Sequence, residues 1–226
     1  MKQCADLLDY RQRAESVVEM LGRMANINVS DDCVDKLCIY RDAVLAWNGK
    51  TQLVSRNDVG YFFSRHIGEC LSLAAVYDLS VENIVDVGSG AGLPGIPLAI
   101  LFPETRFLLV ESMLRRSVFL KHAKSILKLK NVHVQGCRIE DVPVAYHGNA
   151  DIVVSRAVAS LHKLWSLCGD VLSQKGQLLA MKGGDLAPEV AKLLENSFGL
   201  GVEFLKYPAE LVENEKDKQV VRVYRK

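Results

Sequence analysis

The sequence predicts an α/β fold, with a helical extension followed by a mostly parallel, seven-stranded open sheet. From residue 83 onward, seven short β-rich runs are mostly separated by helical segments, which is typical of βαβ units. Before residue 83, apolar residues recur at helical spacing instead. A glycine-rich turn follows the first run, where an open parallel sheet binds its ligand. We therefore expect a helical extension over 1–82 and a sheet core over 83–226, forming one compact unit.

The extension contains helical patterns over 5–24, 31–47 and 57–77, with a loop over 47–55. The second helix is expected to follow Ser30 as its cap, because Asp31 and Asp32 suit a first helical turn. In the core, the predicted strands are 84–87, 107–111, 132–135, 151–155, 176–181, 202–206 and 219–224. The last two strands follow each other without a helix, so we expect an antiparallel hairpin at one edge.

Composition limits the classes of function. Lys and Arg number 28 and Asp and Glu 27, a net charge of +1, so any nucleic-acid contact must rest on a local patch. No apolar run is long enough for a membrane helix, and the charged N-terminus does not resemble a signal peptide. The six cysteines form no C-x-x-C pair and have no histidine at metal-ligand spacing. We expect a cytoplasmic protein, monomeric and without a metal.

The most informative stretch is NIVDVGSGAGLPGIPLAI, residues 83–100. Gly88, Gly90 and Gly92 follow the first predicted strand and precede a helix that Pro94 and Pro97 open. Glycine permits positive φ and removes the Cβ that would hold a ligand away from the backbone. Together with the unpaired N–H groups of the helix start, this turn predicts a nucleotide-like ligand.

Two cofactors fit the glycine pattern. Gly90 to Gly95 satisfies G-x-G-x-x-G, and Glu111 ends the next strand, which together allow a nicotinamide-dependent oxidoreductase. Asp86 before the first glycine, and the lack of a dehydrogenase catalytic set downstream, favour S-adenosylmethionine. A purely structural turn is a further alternative, as is a non-catalytic ribosome- or RNA-binding module.

The end of the fourth strand, DIVVSRAVASL at 151–161, indicates the substrate class. It lacks the Asn/Asp-Pro-Pro-aromatic turn of enzymes that methylate exocyclic amines of bases, and it lacks the cysteine and proline of cytosine-C5 enzymes. Arg156 instead supplies a cation with a planar fork of donors.

Several motifs together resemble the RsmG (GidB) family. They are W-N-G-K-T-Q-L-V-S (47–55), R-H-I (65–67), D-V-G-S-G-A-G-L-P-G-I-P-L-A-I (86–100), R-I-E-D (138–141), S-R-A-V-A-S-L (155–161) and M-K-G (181–183). The resemblance implies a class I, Rossmann-like methyltransferase that acts on the N7 of a guanine in the 530 loop of bacterial 16S ribosomal RNA. One stretch departs from the family pattern: R-H-I is usually followed by x-D-S-L, whereas this chain has Gly68-Glu69-Cys70-Leu71.

The resemblance also implies a set of site residues. S-adenosylmethionine is expected to bind Gly88, Gly90, Gly92, Leu93, Glu111, Ile139, Glu140 and Arg156. Apart from the resemblance, the positions of four cations around the expected pocket mouth favour contacts with the RNA of the small subunit: Arg56, Arg65, Arg138 and Lys182. Guanine N7 carries a free lone pair, so we expect no general base.

Overall fold

The computed structural model describes residues 2–25, 29–212 and 218–226, with side chains from residue 10 onward. Seven strands form one sheet in the order β3-β2-β1-β4-β5-β7-β6. Strands β1 to β5 pair in parallel, and β7 is antiparallel to both β5 and β6. The strands are β1 Asn83–Val87, β2 Arg106–Val110, β3 Val132–Gln135, β4 Ala150–Arg156, β5 Leu172–Gly183, β6 Leu200–Lys206 and β7 Lys218–Arg225.

The predicted sheet is confirmed, including the antiparallel hairpin at its edge. The hairpin has one property that the sequence does not reveal: its second strand, β7, lies inside the sheet, and β6 forms the edge. Among the described residues, no helix is long and apolar enough to cross a membrane.

Helices cover both faces of the sheet. They are α1 Lys2–Ala25, α2 Asp31–Asn48, α3 Gly68–Val76, α4 Gly95–Leu101, α5 Leu114–Ile126, α6 Leu161–Cys168 and α7 Ala187–Asn196. The predicted helix over 57–77 is divided: a 3-10 turn at Arg56–Tyr61 and a π-helical turn at Phe62–Ile67 precede α3. Sequence periodicity does not reveal this change of winding, because the buried side chains still recur about once per turn.

Each face of the sheet has its own apolar core. Ile84 of β1 packs in a cluster with α1 to α5, whereas its neighbour Val85 packs in a second cluster with α6 and α7. Alternate residues of a strand point to opposite faces, and burial of both faces explains the nearly continuous apolar composition of the central strands. The N-terminal helices therefore extend the layer formed by α4 and α5. The predicted cofactor residues lie at or beyond the carboxyl ends of β1 to β4, whereas the predicted RNA contacts Arg56 and Arg65 lie in the turns that precede α3.

Candidate active site

In the glycine turn after β1, Gly88 allows close packing of a side chain, whereas Gly90 leaves space that a ligand could occupy. A Cβ on Gly88 would lie 2.5 Å from Cγ2 of Val158, so this glycine admits a side chain from the loop after β4. Among the described residues, a Cβ on Gly90 would meet nothing closer than the Gly88 carbonyl oxygen, at 3.9 Å, and its φ of +56° favours glycine. Gly90 is thus the member of this pair that faces unfilled space.

Asp86 lies beneath this turn and is fully buried. Its Oδ2 accepts a hydrogen bond from the Gly95 N–H at 3.0 Å, which ties β1 to the start of α4. Oδ1 is buried and has no hydrogen-bond partner in the part of the chain that the structure describes. Burial raises the pKa of Asp86 from 3.8 to about 7. A buried carboxyl with an unused oxygen is ready to accept a donor or to ionise beside a cation.

Glu111 follows β2 and is buried against the same turn. Its Oε2 accepts a hydrogen bond from the Gly90 N–H and its Oε1 from the Met113 N–H, both at 2.8 Å. A carboxylate oxygen has two lone pairs, so each Glu111 oxygen can accept a further hydrogen bond. Binding of the ribose hydroxyls by Glu111 stays a prediction. The structure adds a second contribution of Glu111, because it holds the glycine turn against the start of α5.

A cavity of about 330 Å³ opens beside this turn. Among the residues that line it are the predicted Gly88, Arg138, Ile139 and Glu140, together with Val158 and Lys163. The other predicted cofactor residues are not part of this lining: Gly90, Gly92, Leu93, Glu111 and Arg156. Leu93 packs in the core beneath the turn. Gly92 lies where a Cβ would come within 2.6 Å of Ile96 Cδ1, so it permits packing of α4.

Arg156 ends β4 and lies in a largely buried polar cluster. Its Nη2 donates to His66 Nδ1 at 2.8 Å, and its Nη1 lies 3.7 Å from Cys70 Sγ and 3.8 Å from Glu69 Oε2. Lys218, at the start of β7, donates to the same Glu69 oxygen at 3.2 Å. We call these five residues the Arg156 cluster. The R-H-I run and the divergent Glu69-Cys70 pair thus meet around one guanidinium.

The cluster carries a surplus of positive charge and unused polar atoms. Burial, reinforced by Arg156, lowers the pKa of His66 to about 4, so its imidazole is neutral at pH 7. Burial also raises the pKa of the Cys70 thiol to about 12. The His66 Nε2 and the nearby Tyr207 hydroxyl have no hydrogen-bond partner among the described residues. One carboxylate therefore faces two cations, and the donors beside it are available to a ligand.

The predicted RNA contacts fall into different environments. Arg56 and Arg138 are exposed. Arg65 is half-buried: it donates to Asp58 at 2.8 Å and stacks over the Tyr61 ring. Lys182 is largely covered and forms an ion pair with Glu189 at 2.9 Å, so its position differs from that expected of a phosphate contact. The structure brings Arg138 to the cavity but does not bring Lys182 to its open mouth.

A larger cavity, of about 460 Å³, lies at the opposite, amino edge of the sheet. Its lining includes Asn83, Arg106, His133 and Tyr146, and it contains none of the predicted site residues. Since ligands of open α/β sheets bind at the carboxyl edge, the smaller cavity is the candidate site.

Several residues of the site escape sequence reasoning. Tyr40 of α2 donates to the Ala91 carbonyl oxygen at 2.6 Å and so fixes the glycine turn from the helical extension. Lys218 and Glu189 reach the site from strands and helices distant in sequence. No local pattern marks them. Only Glu69 carried a signal, as part of the departure at 68–70.

The comparisons with known proteins show the family of the chain. The model of the family described as rRNA small subunit methyltransferase G, GidB, matches residues 34–219. The chain belongs to this family. It is thus a small-subunit rRNA methyltransferase, and the nicotinamide-dependent alternative is set aside.

Individual proteins show the same relationship. Ribosomal RNA small subunit methyltransferase G of Chlorobium chlorochromatii is 32% identical over 224 residues, covering 96% of this chain and 94% of that protein. The protein of the same name from Hydrogenovibrio crunogenus is 38% identical over 214 residues, covering 92% and 94%. Among solved structures, M. jannaschii TYW2 in complex with AdoMet has a TM-score of 0.55 at 17% identity, over 79% of this chain and 80% of that chain. This last likeness shows a shared methyltransferase fold.

Proposed function

We propose that the chain transfers a methyl group from S-adenosylmethionine to the N7 of a guanine in the 530 loop of 16S rRNA. The protein would act in the cytoplasm as a monomer, on RNA or on a small-subunit particle. The proposal combines family membership, the cavity beside the glycine turn, and the chemistry of the Arg156 cluster.

The observation that carries the choice of N7 is that none of the five side chains of the Arg156 cluster offers a free base. The Nδ1 lone pair of His66 already accepts the Arg156 hydrogen bond. The thiol of Cys70, with its pKa raised to about 12, stays protonated, and the Glu69 carboxylate lies between two cations. Methylation of an exocyclic amine requires loss of a proton, whereas neutral guanine offers N7 as a bare lone pair. The site therefore suits N7.

The residues present fit the cofactor. Gly90 faces unfilled space, and Glu111 fixes the turn from below. When bound, S-adenosylmethionine supplies an electrophilic methyl group on a sulfonium sulfur. Ile139 and Glu140 would flank its adenine, and Gly88, Gly92 and Leu93 would shape the turn that receives it. Arg156 would hold the methionine end and the guanine in line, and proximity and orientation would supply most of the rate.

The RNA would approach over Arg56 and Arg138, which are exposed, and Arg65, which is half-buried. Arg138 lines the cavity, and Arg56 and Arg65 belong to the turn that leads to His66. Cations at such positions can neutralise phosphates without reading sequence.

Methyl transfer to naked 16S rRNA, 30S subunits and a protein mixture, run in parallel with labelled cofactor, tests the proposal. Treatment with borohydride and then aniline cleaves an RNA strand at N7-methylguanine, so the modified position can be mapped as a strand break. We expect the label in one guanine of the 530 loop. If labelled RNA is not cleaved by this treatment, the methyl group is not on N7 and the proposal is contradicted. If the protein binds the cofactor but transfers no methyl group to any substrate, a non-catalytic RNA-binding module is favoured.

Gly90→Val, compared with Gly148→Val, tests the placement of the cofactor. Both glycines have positive φ and open space where a Cβ would point, but Gly148 precedes β4 at the amino edge of the sheet. The two variants should share a similar backbone strain, on the order of 1 to 3 kcal/mol. Only Gly90→Val should abolish cofactor binding as measured by calorimetry. Equal affinities in the two folded variants would refute the placement.

A further inference from the structure

Lys182 and Glu189 form a partly buried contact at the end of β5. The Lys182 side chain is 11% exposed, and its ammonium donates both to Glu189 Oε2, at 2.9 Å, and to the carbonyl oxygen of Ala159. An ammonium with an ion-pair partner and a backbone acceptor has most of its donor capacity used. It gains little from a phosphate at the surface.

Glu189, on α7, contacts the start of α6, which follows the loop that contains Ala159. Its Oε2 accepts the N–H of Leu161 at 2.8 Å, the first residue of α6. Ser160 precedes α6 in the cap position but makes no side-chain cap hydrogen bond. Glu189 therefore supplies the acceptor that the helix start requires. The Lys182–Glu189 pair thus holds the loop between β4 and α6 at two points, Ala159 and Leu161.

This β4–α6 loop, residues 157–160, forms one wall of the cofactor cavity. Val158 and Ala159 line the cavity, and Val158 packs over Gly88. Ala157 has a φ of +56°, a conformation that is strained for any residue with a Cβ. Such strain persists where surrounding contacts over-determine the backbone. The loop also follows Arg156 directly, so its position sets where the guanidinium leaves the sheet.

We infer that Lys182 and Glu189 are positioning residues, which fix the β4–α6 loop as a wall of the cofactor cavity, and that Lys182 is not a phosphate contact. The inference rests on the proposed cofactor site, but it concerns cofactor affinity in the absence of RNA. It replaces the role in RNA binding that sequence position suggested for Lys182.

The test compares Lys182→Met and Glu189→Gln with Lys192→Met and Glu195→Gln. The control residues are exposed on α7 and undergo the same chemical changes. Calorimetry gives the cofactor affinity, steady-state kinetics separate KM for the cofactor from kcat, and filter binding at several salt concentrations gives the salt dependence of RNA affinity. Lys182→Arg, which keeps the charge and the donors, serves as the rescue variant.

We expect each of the two variants to weaken cofactor affinity roughly tenfold, the scale of one lost charge-assisted hydrogen bond. The double variant should lose little more, because both residues hold one loop. Lys182→Arg should recover most of the affinity, and the salt dependence of RNA binding should match the wild type in every variant.

Two outcomes would overturn the inference. Unchanged cofactor affinity in Lys182→Met with a salt dependence reduced by about one counterion would make Lys182 a phosphate contact after all. Unchanged behaviour in all assays would leave an ordinary surface pair. If Lys182→Met does not fold, Glu189→Gln tests the same contact. Failure of rRNA methylation by the wild type would refute the proposed function but would leave the cofactor-affinity result interpretable.

Discussion

Two largely buried cations lie at the ends of neighbouring strands of the sheet, and their surroundings differ. Lys182 follows the pattern of a closed structural contact: its charge is matched by Glu189, and a backbone carbonyl accepts a further bond. Arg156 shares Glu69 with Lys218, and polar atoms of His66 and Tyr207 beside it lack partners among the described residues.

The difference shows which of the two regions is incomplete without a ligand. Unsatisfied buried polar groups cost free energy, and they persist mainly where function requires them. The Arg156 cluster, together with the unused Oδ1 of Asp86, offers donors and a carboxyl to a ligand that carries both kinds of charge. Neither Lys182 nor Glu189 has a buried polar side-chain atom without a partner among the described residues. We therefore expect substitutions in the first region to affect chemistry, and those in the second to affect only the shape of the cavity.

The largest effect should come from Arg156. Arg156→Ala removes the guanidinium, leaves His66 Nδ1 without its donor and leaves Glu69 with Lys218 alone. Cofactor affinity and turnover should fall together, with kcat/KM reduced roughly 100-fold. Arg156→Lys should rescue little, because an ammonium cannot reproduce a planar fork of donors. If Arg156→Lys is fully active, or if Arg156→Ala loses only RNA affinity, Arg156 is an electrostatic RNA contact. The proposed difference between Arg156 and Lys182 would then be wrong.

The next effect concerns Asp86 and pH. Its pKa of about 7 lies above the ordinary 3.8, so the folded protein retains a proton that the unfolded chain releases between these values. This contribution to stability is present below pH 4 and is lost as pH rises towards 7. S-adenosylmethionine carries a net positive charge, so it should favour the ionised form, and its affinity should rise roughly tenfold from pH 6 to pH 8.

Calorimetry in buffers of different ionisation enthalpy measures the proton released on cofactor binding. Asp86→Asn is the control, and both the proton release and the rise in affinity should disappear in it. If cofactor affinity in the wild type does not depend on pH, the ionisation of Asp86 is not coupled to cofactor binding. The unused Oδ1 of Asp86 would then not be part of the cofactor site.

A smaller effect is expected at His66. His66→Phe removes the acceptor for Arg156 Nη2, whereas His66→Asn can keep one, so only the first should raise KM for the cofactor, by roughly fivefold. The pKa of about 4 keeps the wild-type imidazole neutral above that pH. His66 should therefore add no acid limb to the pH–rate profile above pH 5. Equal KM values in the two variants would indicate a packing role alone.

The smallest effect should come from Lys218. Its side chain is 32% exposed, so solvent screens its charge, and Lys218→Met should raise KM for RNA by about threefold while cofactor affinity stays unchanged. Cofactor titration and RNA kinetics on one preparation measure both. If Lys218→Met lowers cofactor affinity as much as Arg156→Ala does, the positive charge of Lys218 acts on the cofactor and not on the RNA.

Most of the fold was predictable, because alternation of short apolar runs with helices is a local property of the chain. The glycine turn and Glu111 were predictable for the same reason: their chemistry lies in one stretch and at one strand end. The partners of Arg156 were not, since Glu69 and Lys218 are separated by 149 positions and meet only through the sheet order. The prediction that Lys182 contacts RNA rests on its place near the carboxyl end of β5, and sequence position cannot reveal the ion pair with Glu189 that the structure shows there.

The position of β7 has a consequence for the order in which the molecule is made. β6 is synthesised before β7 but has no neighbour in the sheet until β7 inserts between it and β5. A nascent chain that has not yet reached residue 218 therefore leaves one edge of β5 unpaired and β6 without a strand beside it, and it lacks the lysine that faces Glu69. The polar cluster at the end of β4 can be completed only after translation has reached β7, which begins with Lys218.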